Sequence, residues 1–418
     1  MLDIKFIREN KELVKQNCID RRAKVDIDLV LKLDEERKNL LKQAEELRSL
    51  RNAKSKGKPT DEEIKKMREV GDSITKLETE LEEVTAKYTE EIMKIPNLTH
   101  PDSPIGEEAD FKVIYKNFEP KDFSFKPLDH EELMLKNNLI DFDRATKTSG
   151  AKFYFLKNNL VRLNQALISY GMDIANKYGY ETIETPDLAK NEVLRGVGFN
   201  PRSGEETQIY SIENSDLSLV GTAEITIGGY HSNEVLDLNE GPKKYIAISH
   251  CFRTEAGSYG RTSKGLFRVH QFTKLEMFVF CKPEDSEKYH EEILKIEKEI
   301  MDGLEIPYQV IDIASGDLGG PAYRKFDIEG YMTMKGDDKH QGGYGELTSC
   351  SNCTDYQARR LNIKYKQDDG STAFVHTLNG TAVVLSRFPI VIAENHQQKD
   401  GTIAVPKALQ KYCGFKKL

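Results

Sequence analysis

The chain has 418 residues, with 61 Lys and Arg against 69 Asp and Glu, a formal charge of −8 at pH 7. That length supplies two or three domains of roughly 150 residues. No apolar run approaches the ~18–20 residues that span a bilayer, and the first ten residues lack a signal-peptide core. The expectation is a cytoplasmic protein without membrane contact, whose six cysteines (Cys18, Cys251, Cys281, Cys350, Cys353, Cys413) form no disulfide framework. The net charge argues against general nucleic-acid affinity, yet residues 1–60 hold 16 basic against 11 acidic side chains. Any anion held by bulk charge belongs there.

Residues 1–26 read as one amphipathic helix, with Ile4, Ile7 and Val14 on one face. From there Val30, Leu33, Arg37, Leu40, Ala44, Leu47 and Arg51 recur in steps of three and four, a heptad seam with arginine stems at two inner positions. Gly57 and Pro59 permit a turn, and Thr60-Asp61-Glu62-Glu63 supplies a capping box for a second helix. Its seam runs through Met67, Val70, Ile74, Leu77, Leu81, Val84 and Tyr88 and stops before Ile95-Pro96. The spacing predicts a long antiparallel helical hairpin, a coiled-coil arm over about 27–95 within an N-terminal domain of residues 1–100. Each arm would reach about 45 Å. Arg48, Arg51, Lys54, Lys56 and Lys58 gather at its tip without an acidic residue from 47 to 59. Two readings stand for this tip: a solvated face of good helix formers, or a phosphate-binding surface.

Residues 101–125, rich in Pro, Asp and Gly, read as a linker to a second domain over 126–418. There a long helix is expected over 153–178 and another over 285–301, with strands at 180–183, 245–251, 267–272, 276–281 and 308–313. Strands in succession favour an α+β fold on an antiparallel sheet over a doubly wound parallel one. Neither common phosphate loop occurs.

Chemistry concentrates between residues 246 and 281. A strand leads into Arg253-Thr254-Glu255, a polar glycine-rich loop follows, and the chain returns through Arg268, His270 and Phe272 to Glu276. A hairpin of that form sets Arg253, Glu255, Arg268 and Glu276 on one sheet surface, where they need a ligand, solvent or one another. A ladder of exposed ion pairs is the alternative. Cys350-x-x-Cys353 has no second pair at ligand spacing, so zinc is not expected. His250 and His270 read as sheet histidines.

Phe252-Arg253-Thr254-Glu255, the loop, and His270-Gln271-Phe272 with Glu276 resemble motif 2 of class II aminoacyl-tRNA synthetases. Within that class the likeness is to the seryl-tRNA synthetase family. Gly221-Thr222-Ala223-Glu224 resembles its serine loop, and residues 346–360, Glu346-Leu347-Thr348-Ser349 onward, resemble a family signature. His376 through Arg387 to Glu394-Asn395 is similar to motif 3, and residues 178–186 to motif 1. The N-terminal hairpin resembles the family's tRNA-binding arm, so the likeness covers the whole chain.

The resemblance implies a class II catalytic domain that activates L-serine with ATP and transfers it to the 3′ end of tRNA(Ser). Charging of tRNA(Sec) is a further expectation that depends on the source having that tRNA. A homodimer is implied through motif 1. The implied catalytic residues are Arg253, Arg387 and Glu346. Thr222, Ala223, Glu224, Arg253, Glu276 and Thr381 are implied for serine. For ATP they are Arg253, Thr254, Glu255, Arg268, Val269, Phe272, Glu346, Leu347, Thr348, Ser349 and Arg387. Glu346 and Ser349 are implied for Mg²⁺, and Arg48, Arg51, Lys54, Lys56, Lys58 and Arg261 for tRNA. Arg253 would meet the α-phosphate and Arg387 the far end of the triphosphate; Glu255 would hold the adenine amino group above Phe272. The chain departs from the family pattern at Gly345, Gly380-Thr381, Ser386 and Phe388-Pro389. None of these removes a ligand atom.

Overall fold

The computed structural model describes residues 1–53, 60–199, 208–256, 264–336 and 340–418. The chain divides into two compact units, Met1–Leu98 and Thr99–Leu418.

In the first unit, Asp3 caps the short helix α1 (Ile4–Glu9), its carboxylate accepting from Lys5 N–H. The single helix expected over 1–26 is broken at Asn10, which closes α1 and precedes α2 (Lys11–Asp20). The Asn10 backbone and side-chain N–H groups both donate to the Phe6 carbonyl, at 2.9 and 3.1 Å, satisfying the helix end and turning the chain. Ile7, Val14 and Cys18 then pack against Ile27, Val30, Ile92 and Ile95.

The arm itself follows the seam. Helix α3 (Ile27–Ala53) and helix α4 (Asp61–Met93) meet along it, with Val30, Leu33, Ala44, Ile74 and Val84 buried. The partners run in opposite order: Arg37 lies 5.0 Å over the Tyr88 ring and Arg48 pairs with Glu78 at 2.5 Å. The capping box forms as its residues dictate, Glu63 N–H to Thr60 Oγ1 at 3.3 Å and Thr60 N–H to Glu63 Oε2 at 2.8 Å. At 33 residues α4 is about 50 Å long. Asp34 is fully buried at the base of the hairpin; burial opposes its charge, but Lys38, Arg37 and Arg8 hold the carboxyl below its ordinary range.

The second unit is built on one eight-stranded sheet. Its strands are β1 (Lys112–Asn117), β2 (Glu181–Glu184), β3 (Lys243–Phe252), β4 (Gln271–Cys281), β5 (Tyr308–Asp312), β6 (Arg324–Met332), β7 (Gly343–Asn352) and β8 (His376–Val384). Across the sheet they lie in the order β1-β5-β6-β7-β8-β4-β3-β2, antiparallel except where β2 pairs with β3. The antiparallel α+β architecture is therefore as the strand succession implied. One correction concerns residues 101–125. Residues 112–117 are not linker but an edge strand, because the Lys112–Asn117 backbone finds its hydrogen-bond partners along Tyr308–Asp312 although its side chains stay largely exposed.

A second correction concerns the return from the chemistry-rich loop. The expected strand over 267–272 starts only at Gln271 and runs unbroken to Cys281. Beyond Phe252 the ladder with β4 gives way to other partners: Arg253 N–H bonds His270 O, Thr254 N–H bonds Gln208 O, and His270 N–H bonds Lys152 O. Glu255 and Gly265, at φ +51° and +58°, bend the two stems away from the sheet.

Helices Asn159–Lys177, Ser286–Gly303 and Phe388–His396 cover the back of the sheet over a core that includes Leu167, Leu275, Met277, Ile293, Val383 and Ile390. Helix Asn159–Lys177 begins six residues later than the expected start at 153, since residues 155–156 pair instead with Ile140–Asp141. Within this core Glu297 is fully buried, accepting from Thr348 Oγ1 at 3.2 Å. Burial pushes its carboxyl well above the ordinary range, with the Thr348 hydrogen bond opposing. A raised folded-state value means that stability is full below the unfolded value and falls as pH climbs toward the folded one. Glu297→Gln should therefore raise the thermal midpoint by several degrees at pH 8, and the gain should disappear when the comparison is repeated near pH 5.

Candidate active site

Residues on β4 alternate between faces. Leu275 and Met277 enter the core, while Phe272, Lys274 and Glu276 line a cleft of about 220 Å³ on the other side. Glu276 is buried, and its charge is met by Lys274 on the same strand and by Thr222 Oγ1, which donates to it at 2.5 Å. Thr222 is also the N-cap of helix Ala223–Tyr230, accepting from Glu224 N–H at 3.2 Å. Thr381 sits opposite Glu276 in the ladder between β8 and β4. Two hydroxyls and a carboxylate thus share one corner of the cleft.

Glu224 occupies the same corner. Its Oε1 accepts from Gln357 at 2.7 Å and from Asn379 at 3.0 Å. Burial, and then the nearby Glu276, push this carboxyl up to about 7. No basic side chain pairs with it directly among the described residues; Lys274 and Arg253 oppose the shift through space.

Arginines line another part of the cleft wall. Arg253, just past β3, donates from Nε to Gly221 O at 3.2 Å and lies 5.3 Å over the Phe272 ring. Arg387, ahead of helix Phe388–His396, donates to Glu346 O at 3.0 Å and pairs with its carboxylate at 3.2 Å. The Glu346 side chain is 47% exposed on the cleft wall. Desolvation would raise its pKa, but Arg387, Lys325 and Arg253 together hold it down to about 2. Arg268 reaches Glu255 at 3.4 Å.

Two β-bulges shape this wall. The ladder between β6 and β7 pairs Glu329 with Glu346 but Ile328 with Thr348, leaving Leu347 extra. Glu346 and Ser349, an odd spacing apart, consequently face the cleft together, while Thr348 turns behind the sheet to Glu297. A second bulge at Ala382 lies between Thr381 and Val383 on the neighbouring strand β8.

Residues 1–99 match the family described as the seryl-tRNA synthetase N-terminal domain, and residues 207–396 the class II tRNA synthetase core domain of the G, H, P, S and T enzymes. A protein of Treponema denticola named serine–tRNA ligase is 50% identical over 427 residues, covering 100% of each chain. One of Rubrobacter xylanophilus with the same name is 49% identical over 422 residues, covering 99% of this chain and 98% of that one. The chain belongs to the seryl-tRNA synthetase family. The crystal structure of the seryl-tRNA synthetase from Pyrococcus horikoshii complexed with ATP is similar over 100% of this chain and 99% of that one, with a TM-score of 0.88 at 40% identity.

Among the site residues that the seryl-tRNA synthetase resemblance implies, the cleft brings together Thr222, Glu224, Arg253, Glu255, Arg268, Val269, Phe272, Glu276, Glu346, Leu347, Ser349, Thr381 and Arg387. Ala223, Thr254 and Thr348 are not part of its lining. On the arm, Arg48 is ion-paired and Arg51 is exposed in the last turn of α3. Lys54, Lys56, Lys58 and Arg261 lie outside the described residues. Sequence reading missed Lys274 and Asn379. A signal existed for Lys274, two residues before Glu276 and so on the same strand face; Asn379 stands in the same relation to Thr381. Cys350 and Cys353 are both buried, and Asn379 Nδ2 contacts Cys353 Sγ at 3.7 Å.

The Glu224 environment is open to direct measurement. Difference infrared titration should show a carboxylate band with a midpoint near pH 7 that is absent in Glu224→Gln, whereas the Glu346 band should stay ionised through the whole range above pH 4.

Proposed function

We propose that this protein joins L-serine to ATP, releasing pyrophosphate, and passes the seryl group from the adenylate to the 3′ end of tRNA(Ser). One observation carries the proposal: Arg253 and Arg387, far apart in the chain, line one cleft together with the hydroxyls of Thr222 and Thr381 and the carboxylates of Glu224, Glu276 and Glu346. Anion-binding guanidinium groups in one cleft with cation- and hydroxyl-binding groups match a nucleotide triphosphate meeting an amino acid.

In the first step a serine carboxylate oxygen bonds to the α-phosphorus as the bond to the β-phosphate breaks. Charge grows on phosphate oxygens, so fixed guanidinium groups contribute more than a protein nucleophile would. Arg253, locked by Gly221 and Phe272, is placed for the α-phosphate, and Arg387 for the terminal phosphates. Arg268, Glu255, Val269 and Phe272 serve the base and ribose end. In the second step the ribose hydroxyl of the tRNA attacks the acyl carbon and AMP leaves. Glu224 receives the ammonium group of serine, and Glu276 with Thr381 receives its hydroxyl. A corner built to hydrogen-bond a hydroxyl rejects an analogue lacking it by about 10⁴–10⁵-fold, which excludes alanine. Threonine keeps the hydroxyl and must be excluded by the bulk of its methyl group.

Mg²⁺ fits the wall of the cleft. Glu346 is held ionised and Ser349 shares its face, giving two hard oxygen donors and leaving further positions to phosphate and water. When bound, the ion neutralises phosphate charge. Further parts of the reading are a homodimer joined through residues near 178–186, a cytoplasmic location, and acceptance of tRNA(Sec) where the source makes it. The long arm, with Arg51 and its basic neighbours in sequence, serves the tRNA backbone.

Pyrophosphate exchange should proceed with serine, only weakly with threonine and not with alanine; exchange with none of the three would end this reading. Replacing Arg51, Lys54, Lys56 and Lys58 with glutamine should weaken tRNA binding and flatten its salt dependence. Adenylate formation should stay within about twofold, measured on the same preparations.

A further inference from the structure

Behind the nucleotide end of the cleft lies a fully buried histidine–carboxylate pair. His130 and Glu394 are both without solvent exposure. The His130 backbone N–H and its Nδ1 each meet Glu394 Oε1 at 2.9 Å, while Leu266 N–H donates to His130 Nε2 at 3.1 Å. Nε2 is thus the acceptor and Nδ1 carries the proton, so the tautomer is set by the two partners. The second oxygen of Glu394 accepts from Met334 N–H at 3.2 Å.

The residues preceding His130 repeat the pattern. Asp129 pairs with Lys264, and Leu128 exchanges two hydrogen bonds of 2.9 Å with the side chain of Gln397. Residues 128–130 therefore fasten the stem at 264–266 to the end of helix Phe388–His396. Gly265 leaves room for the ring, since a Cβ there would run into His130 Nε2. Both fastened elements lead to the cleft. Arg387 precedes the helix, and Leu266 precedes Phe267, whose ring carries the Arg387 guanidinium at 4.9 Å and the Lys335 ammonium at 5.3 Å.

We propose that His130 is a positioning residue for the nucleotide: by bridging Leu266 to Glu394 it sets Phe267 against Arg387, and so sets the grip on the triphosphate. This rests on the cleft being a nucleotide site. His130 is without solvent exposure, and its hydrogen bonds go to Glu394 and Leu266 rather than to Thr222, Glu224 or Glu276, so the effect falls on ATP.

The test compares full-length wild type with His130→Gln, His130→Asn and His130→Phe. Glutamine places an acceptor where Nε2 stood; asparagine keeps a donor toward Glu394 but is too short for Leu266. In pyrophosphate exchange the asparagine and phenylalanine variants should raise the KM for ATP about tenfold, with the KM for serine within twofold. The glutamine variant should stay within about threefold for both. Calorimetric ATP binding without serine should show the same order. An unchanged ATP response in folded His130→Asn overturns the proposal. So does a parallel rise in both KM values with glutamine no better than phenylalanine, or a failure of all three variants to fold, either of which marks a general packing role. A wild type that binds ATP but performs no exchange with serine sinks the functional reading instead, and the calorimetric series then still decides the role of His130.

Discussion

Charge compensation across the open face of the sheet governs this molecule. Strand alternation puts Lys274 and Glu276 on the side away from the core, where neither is free in water, and buried charges of this kind persist only with opposite partners close by. Lys274 and the Thr222 hydroxyl answer Glu276; Arg387, Lys325 and Arg253 answer Glu346. Glu224 has amide donors from Gln357 and Asn379 but, among the described residues, no cation paired with it, and burial lifts its carboxyl.

The corner lined by Thr222, Thr381 and Glu276 is built on rigid elements. Thr222 is fixed twice, as a helix cap and as a donor to Glu276, while Thr381 is held opposite Glu276 by the β-ladder. None of the three sits on a loop that must close to create the contact. A polar pocket assembled from strand and cap positions pays for its desolvation during folding rather than at binding.

Much of this was legible in the primary structure. The heptad seam and the Thr60–Glu63 box specify the arm because side-chain spacing and a local capping bond determine those elements with no distant partner. The motif residues of the cleft were legible as a set, since the resemblance supplies their order. Three features were not. Asn10 interrupts an otherwise amphipathic stretch through its own side chain, which periodicity alone overlooks. The edge strand Lys112–Asn117 looks like linker because it gains its partners from residues nearly two hundred positions away. Strands β7 and β8 carry much of the cleft, yet they and the neighbouring β6 mix glycine with polar or charged residues, and only their neighbours make them strands.

The extra residue at Leu347 has a consequence for how this chain tolerates length changes. Side-chain parity along β7 is inverted at that point, so Glu346 and Ser349 share a surface that strict two-residue alternation would deny them. Removing one amino acid there would leave every functional letter in place and the strand nearly as long, while sending either the carboxylate or the serine hydroxyl into the hydrocarbon interior. For this stretch the number of residues is as much a part of the site as their identities.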